Sequence, residues 1–322
     1  MQSKKRVRAR CLLALGVLVA VTAPVFGHEP ATATPVTVVH HVRYRPGDNP
    51  MWHLDLAMKE NDRATPRPAI VVIHGGGWLE GDKSSFASNK HGVPGNIEEF
   101  AELGFVAVTI NYRLSREAPF PAALEDCKCA VRWLRARASE YNVDPSRIGA
   151  YGNSAGGHLA LLLALTGKDA RLEGDGPYQD KSSAVQAAVS DSGPVDLLYQ
   201  FGHDRLKRVV EQFMDGPPEG ERKKLYRTAS PSRLISPDVP PLLLIYGAAD
   251  EQVPIESADQ FVTDLGRAGL KDVTYHRLAY VDHCPHSLIR VPAMRTAVNE
   301  FFVRTLLHPE TAKEVRRRSD DN

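Results

Sequence analysis

The sequence predicts an α/β fold: a mostly parallel sheet of eight strands with helices on both faces and an inserted segment lying over it. Three observations lead there. Short β-branched runs alternate with long amphipathic stretches through most of the 322 residues. Strand, helix, strand repeated in this way makes neighbouring strands parallel, because each crossover carries the chain back across the sheet. The alternation then fails between Pro194 and Pro240, where prolines and glycines crowd together.

The strands and helices follow in order. Residues 36–44 and 52–57 are expected as the first two strands. The link Pro46-Gly47-Asp48-Asn49-Pro50 is rich in turn formers and suits an antiparallel hairpin at the sheet edge. Further strands are expected at 69–73, 106–110, 147–151, 185–190, 242–246 and 274–278. Helical patterns fill the gaps at 96–103, 122–141, 155–165, 255–268 and 288–307. The stretch 194–240 carries Gly216-Pro217-Pro218, Ser230-Pro231, Ser236-Pro237 and Pro240-Pro241, with one or two short helical pieces. It reads as a cap. The charged residues from Lys313 onward are expected to fray.

Composition narrows the class of partner. At 43% hydrophobic, 25% charged and 7% aromatic, the chain is ordinary globular protein. Lys4, Lys5, Arg6, Arg8 and Arg10 precede a nearly unbroken apolar run at 11–25, and Val25-Phe26-Gly27 offers a cleavage site. This order of charged, apolar and small residues reads as a secretory signal peptide over residues 1–27, leaving a single domain over 28–322. The run is short of the ~20 residues that a membrane-spanning helix needs. The expected destination is secreted or periplasmic, with no membrane span in the mature chain. Removing residues 1–27 takes away five cations and shifts the net charge from +1 to −4. A mildly acidic protein gives no electrostatic reason to expect nucleic acid as a partner. Besides Cys11, the cysteines are Cys127, Cys129 and Cys284. The odd number left after cleavage, with Cys127 and Cys129 two apart on a predicted helix, argues against a disulfide scaffold. No metal-ligand spacing is present, and no cofactor is expected.

Three motifs carry the chemistry. Gly152-Asn153-Ser154-Ala155-Gly156 follows a strand and opens a helix, the setting of a sharp turn that lifts a serine hydroxyl above a sheet. The helix N-terminus favours negative charge developing there. His74-Gly75-Gly76-Gly77-Trp78 follows the strand AIVVI, so the amides of Gly76 and Gly77, with that of Ala155, are candidate donors to an oxyanion. Trp78 is assigned to substrate contact and His74 to bracing the loop. Asp250 ends the run LLLIYGAAD, where an acid would follow a late strand. Asp282-His283-Cys284-Pro285-His286 supplies two imidazoles; His283 is preferred as base and His286 stays open. His158 is read as a packed or capping histidine, and Cys284 as a bystander.

On these residues the chain resembles the α/β-hydrolase superfamily, in particular the hormone-sensitive-lipase-like esterases and the BD-FAE group of feruloyl and acetylxylan esterases. The resemblance spans roughly 44–307 and rests on HGGGW (74–78), NYRLS (111–115), FPAALEDCKCAVRWLR (120–135), YNVDPSRIGAYGNSAGGHLALL (141–162), SGPVDL (192–197), SPSRLIS (230–236) and YGAADEQVP (246–254). It implies an α/β-hydrolase fold with a cap. It also implies a Ser154-Asp250-His283 triad, an oxyanion hole at Gly76, Gly77 and Ala155, and a short-chain acyl ester, acetyl or feruloyl, of a small molecule or plant polysaccharide. Arg113 and Asp126, inside two of these motifs, are read as an ion pair bracing loops. Asn153 departs from the acidic or Gln residue usual before the serine, and Cys284-Pro285 from the usual Gly-Phe. An amide hydrolase of arylformamidase or peptidase type, using the same triad, is the alternative. A non-catalytic binding protein on the same shell is a third reading. Because the base must be neutral, and an unperturbed imidazole titrates near ~6.5, activity is expected to fall in acid.

Overall fold

A computed structural model describes residues 34–60, 65–88, 93–167, 169–287 and 290–309. The signal-peptide expectation for residues 1–27, Cys11 within it, and the frayed end expected from Lys313 lie outside the described residues. Eight strands form one sheet: β1 (Val36–Arg43), β2 (His53–Lys59), β3 (Arg67–Ile73), β4 (Val106–Ile110), β5 (Val143–Asn153), β6 (Ala187–Asp191), β7 (Leu242–Gly247) and β8 (Val273–Leu278). Their order across the sheet is β1-β2-β4-β3-β5-β6-β7-β8. β2 runs antiparallel to both its neighbours, and all pairings from β4 to β8 are parallel. The edge hairpin and the parallel body therefore follow the sequence pattern.

Alternation along each central strand decides what lies on either side. Ala69, Val71 and Ile73 of β3 join a core with α2 (Ala122–Ala136) and α4 (Ala155–Leu165). Ile70 and Val72 join the opposite core with α1 (Ile97–Glu102) and α9 (Ala293–Phe302). Leu242, Leu244 and Tyr246 of β7 pack with α8 (Ile255–Arg267). Both faces are covered, as a parallel sheet requires.

Three expectations need correction. The helix expected at 122–141 stops at Ala136 and restarts as α3 (Ala138–Tyr141), because Arg137 leaves helical geometry; Asn142, left-handed at φ 54°, then caps α3. The helix expected at 288–307 starts only at Ala293, directly after Pro292, whose ring suits a helix start and disfavours helix in the residue before it. Past Phe302 it widens into a π turn, Val303–Leu307. The cap holds three helices rather than one or two: α5 (Leu197–Phe201), α6 (Lys207–Phe213) and α7 (Arg222–Thr228). Each is short, and proline and glycine between them hide their periodicity. Among the described residues no helix is long and apolar enough to cross a membrane.

Candidate active site

The turn between β5 and α4 is built for close approach. Ser154 has φ 51° and ψ −122°, a strained backbone for a residue with a side chain. It is held there because its N–H donates to Asp191 O at 2.7 Å and its carbonyl accepts from His158 N at 3.0 Å. Glycine is obligatory beside it. A Cβ on Gly156 would stand 2.0 Å from Ile73 O, and one on Gly152 would stand 2.3 Å from the carbonyl carbon of Gly156. The elbow thus presses its helix directly onto the end of β3.

The glycine turn after β3 lies against this elbow. Gly76, at φ 103°, accepts on its carbonyl from the N–H groups of Leu79 and Glu80 at 3.1 and 3.2 Å. His74 stacks on Tyr112 at 4.4 Å, and its Nδ1–H donates to Gly75 O at 2.8 Å. Tyr112 Oη–H in turn donates to His74 O at 2.9 Å. His74 therefore braces the loop. The cap closes over the same turn, since a Cβ on Gly77 would come within 3.0 Å of Val209 on α6.

A cavity of about 410 Å³ gathers the expected groups: Gly76, Gly77, Ser154 and His283 line it with Leu206 and Val209 of the cap. His283 Nδ1 is 2.7 Å from Asp250 Oδ2. The other carboxylate oxygen, Oδ1, accepts from the N–H groups of Gln252 and Val253 at 2.8 and 2.9 Å. Asp250 is thus fixed on one side by its own loop and turned to the imidazole on the other. Among the described residues no hydrogen bond joins Ser154 Oγ to His283; the two share the cavity wall. Ala155 is buried at the first turn of α4, next to Ser154.

His286 is elsewhere. It is enclosed, its Nδ1 lies 2.8 Å from Tyr151 Oη, and burial pushes its pKa down to about 3. The pairing with Asp250 belongs to His283. His158 is likewise buried, its Nε2–H donating to Ala229 O at 2.7 Å and its pKa pushed down by burial to about 4. It ties the elbow helix to the cap.

Trp78 departs from its expected role as a substrate contact. It is 1% exposed, stacked at 4.3 Å on Phe213 of α6 and edge-on to His158 at 5.1 Å. A left-handed backbone, φ 58°, turns the indole into the core beneath the cap. Arg113 and Asp126 do pair, with Nε to Oδ2 at 2.8 Å and Nη2 to Oδ1 at 3.0 Å. Cys127, Cys129 and Cys284 are free thiols, all buried. Among the described residues no three His, Cys, Asp or Glu side chains are grouped to hold a metal ion.

Two supporting residues escaped sequence reasoning. Asp191, ending β6, accepts on Oδ2 from Ser287 N at 2.9 Å, and burial raises its pKa to about 6. Ser192 accepts on Oγ from Cys284 N at 3.0 Å. Together they fasten the histidine loop to the sheet. The available signal was the SGPVDL motif, which begins at Ser192, directly after Asp191.

Residues 54–265 match the family model described as BD-FAE. The chain belongs to the BD-FAE family. It is 34% identical over 249 residues to a protein named probable carboxylic ester hydrolase LipM of Mycobacterium tuberculosis (strain ATCC 25618 / H37Rv), covering 76% of this chain and 56% of that one. Esterase LipC of the same strain is 31% identical over 252 residues, covering 76% and 60%. The chain thus spans less than two thirds of the length of these relatives. Among solved structures, a truncated carbohydrate esterase from gut microbiota superposes with TM-score 0.72 at 27% identity, covering 86% of this chain and 99% of that one. Thermogutta terrifontis esterase 2 phosphorylated by paraoxon gives 0.64 at 26%, covering 84% and 94%. The α/β-hydrolase fold of this BD-FAE chain agrees with both.

Proposed function

We propose that this BD-FAE chain is an exported serine carboxylesterase acting on short-chain acyl esters, acetyl or feruloyl, with plant polysaccharide among its alcohols. One observation carries the reading: Asp250 occupies Nδ1 of His283 at 2.7 Å, so Nε2 is the nitrogen left for a proton transfer on the cavity that Ser154 also lines. Ser154 Oγ attacks the ester carbonyl while His283 Nε2 accepts its proton, and Asp250 holds the tautomer and supports the imidazolium. The amides of Gly76, Gly77 and Ala155 receive the oxyanion, each such donor being worth ~10²–10³ in turnover. The imidazolium then protonates the leaving alcohol, and water, activated by the same base, releases the acid.

The names of the relatives support ester hydrolysis, and the carbohydrate esterase neighbour supports a sugar ester. Leu79, Leu206 and Val209 give the cavity an apolar side suited to a short acyl group. The basic and apolar order of residues 1–25 supports export. Comparing p-nitrophenyl acetate with its anilide tests the reaction class. The expected result is ester turnover faster by about 10³-fold or more, since the amine is the poorer leaving group; equal rates would make the chain an amide hydrolase.

A further inference from the structure

Arg116 lines the catalytic cavity with Ser154 and His283, and the hydrolytic steps leave it without a task. Its backbone is tied to the glycine turn after β3, because Ser115 donates to Trp78 O from both N–H and Oγ–H, at 2.8 and 2.9 Å. Leu114 O then accepts from the N–H groups of Glu117 and Ala118 at 2.8 and 3.0 Å, which closes the turn around Arg116. The carboxylate of Glu117 is taken by Asn49 Nδ2. The Arg116 side chain is exposed and has no hydrogen bond or ion pair among the described residues. Glu80 supplies a carboxylate on the same cavity wall, and no ion pair joins it to Arg116. The two mark different ends. Glu80 also borders a cleft with His74 and Ser85, whereas Arg116 borders one with Arg208 and Gln212 of α6, and these clefts share no residue. The acids of the second cleft are Glu211 and Asp215, the latter paired with Arg222 at 3.4 Å, and neither pairs with Arg116.

The cap end of the cavity thus holds an unneutralised guanidinium together with the apolar side chains of Leu206 and Val209. A wholly apolar acyl chain would use only the second feature. An acyl chain ending in a carboxylate uses both: its methylenes lie on Leu206 and Val209, and its two oxygens meet the planar N–H fork of arginine, which matches a carboxylate bidentately. At the opposite end Glu80 repels the same anion, which fixes the direction of the chain. We infer that Arg116 reads the acyl half of the substrate, so that the enzyme hydrolyses half-esters of short dicarboxylic acids with the free carboxylate on Arg116 and the ester carbonyl at Ser154. Water and the half-ester give the alcohol and the dicarboxylic acid. The inference rests on the esterase reading for its reaction, and adds a charged acyl class to the acetyl and feruloyl esters.

Turnover of a matched pair tests it. Monoethyl succinate and its neutral isostere, ethyl succinamate, differ only at the far end of the acyl chain. The wild-type kcat/KM should favour the half-ester by about tenfold, and the ratio should fall to about one in Arg116→Gln, chiefly through KM. Equal use of the two by the wild type, or a ratio that survives the substitution, overturns the inference. Acetoxyacetate carries its carboxylate on the alcohol side. If Arg116→Gln slows acetoxyacetate and spares monoethyl succinate, the assignment to the acyl half fails. A wild type that cleaves p-nitrophenyl acetate but neither ethyl ester also overturns it. Failure on all three removes the esterase reading instead, and saturation-transfer NMR with monoethyl succinate then decides the inference. Ligand signal lost in Arg116→Gln supports it; signal retained there, or absent from the wild type, overturns it.

Discussion

Two histidines three positions apart compete for the role of general base, and their surroundings separate them. His283 meets Asp250 at 2.7 Å on the wall of the cavity that holds Ser154, whereas His286 is walled in beside Tyr151. Replacing His283 by Asn should lower kcat for p-nitrophenyl acetate by about 10²–10⁴, the usual worth of a positioned base. The same change at His286 should leave kcat within about tenfold, its effect appearing in Tm. The opposite pattern would transfer the role. The convergence of Ser154 and His283 on one cavity, with Asp250 against His283, was legible because each of the three ends or follows a strand. Trp78 was not, because only the positive φ at that residue and Phe213 from the distant cap decide which way the indole turns.

At the scale of elements, the sheet was readable almost strand for strand, since alternation on β3 and β7 reports two buried faces directly. The helices were readable in existence and less so in extent. Arg137 and Pro292 set boundaries by backbone geometry that an amphipathic pattern does not register. The cap was legible only as a break in the pattern. Its anchors are tertiary: His158 to Ala229, Trp78 to Phe213, and Phe120 N–H to Phe213 O at 2.8 Å. These fix α6 over the glycine turn, which places Leu206 and Val209 beside the serine. The elbow was the most legible element, because Gly152 and Gly156 mark backbone contacts that no other residue allows.

The whole molecule carries a response to acid. His158 and His286 are held neutral, with folded pKa values pushed down by burial to about 4 and about 3. In the unfolded chain each titrates near ~6.5, so the stability they contribute is full above that pH and is lost as pH falls toward the folded values. Asp191, raised by burial to about 6, acts in the opposite sense: its contribution is present at low pH and is lost as pH rises through about 6. His74, also lowered by burial, acts with the other two histidines, and Asp126, also raised by burial, acts with Asp191, so three buried histidines stand against two carboxyls. Tm should therefore decline from pH 6.5 to pH 4, and His286→Asn should make that slope shallower. A Tm that rises in this window, or a slope untouched by the variant, would refute the assignment. The central claim, that Ser154 is the nucleophile of this BD-FAE chain, is tested most directly by treating the protein with a fluorophosphonate and mapping the adduct by mass spectrometry. A single adduct on Ser154 is predicted, absent in Ser154→Ala, with turnover of p-nitrophenyl acetate in that variant reduced by roughly 10⁴-fold or more. An unlabelled Ser154, or turnover that survives its replacement, would contradict the account.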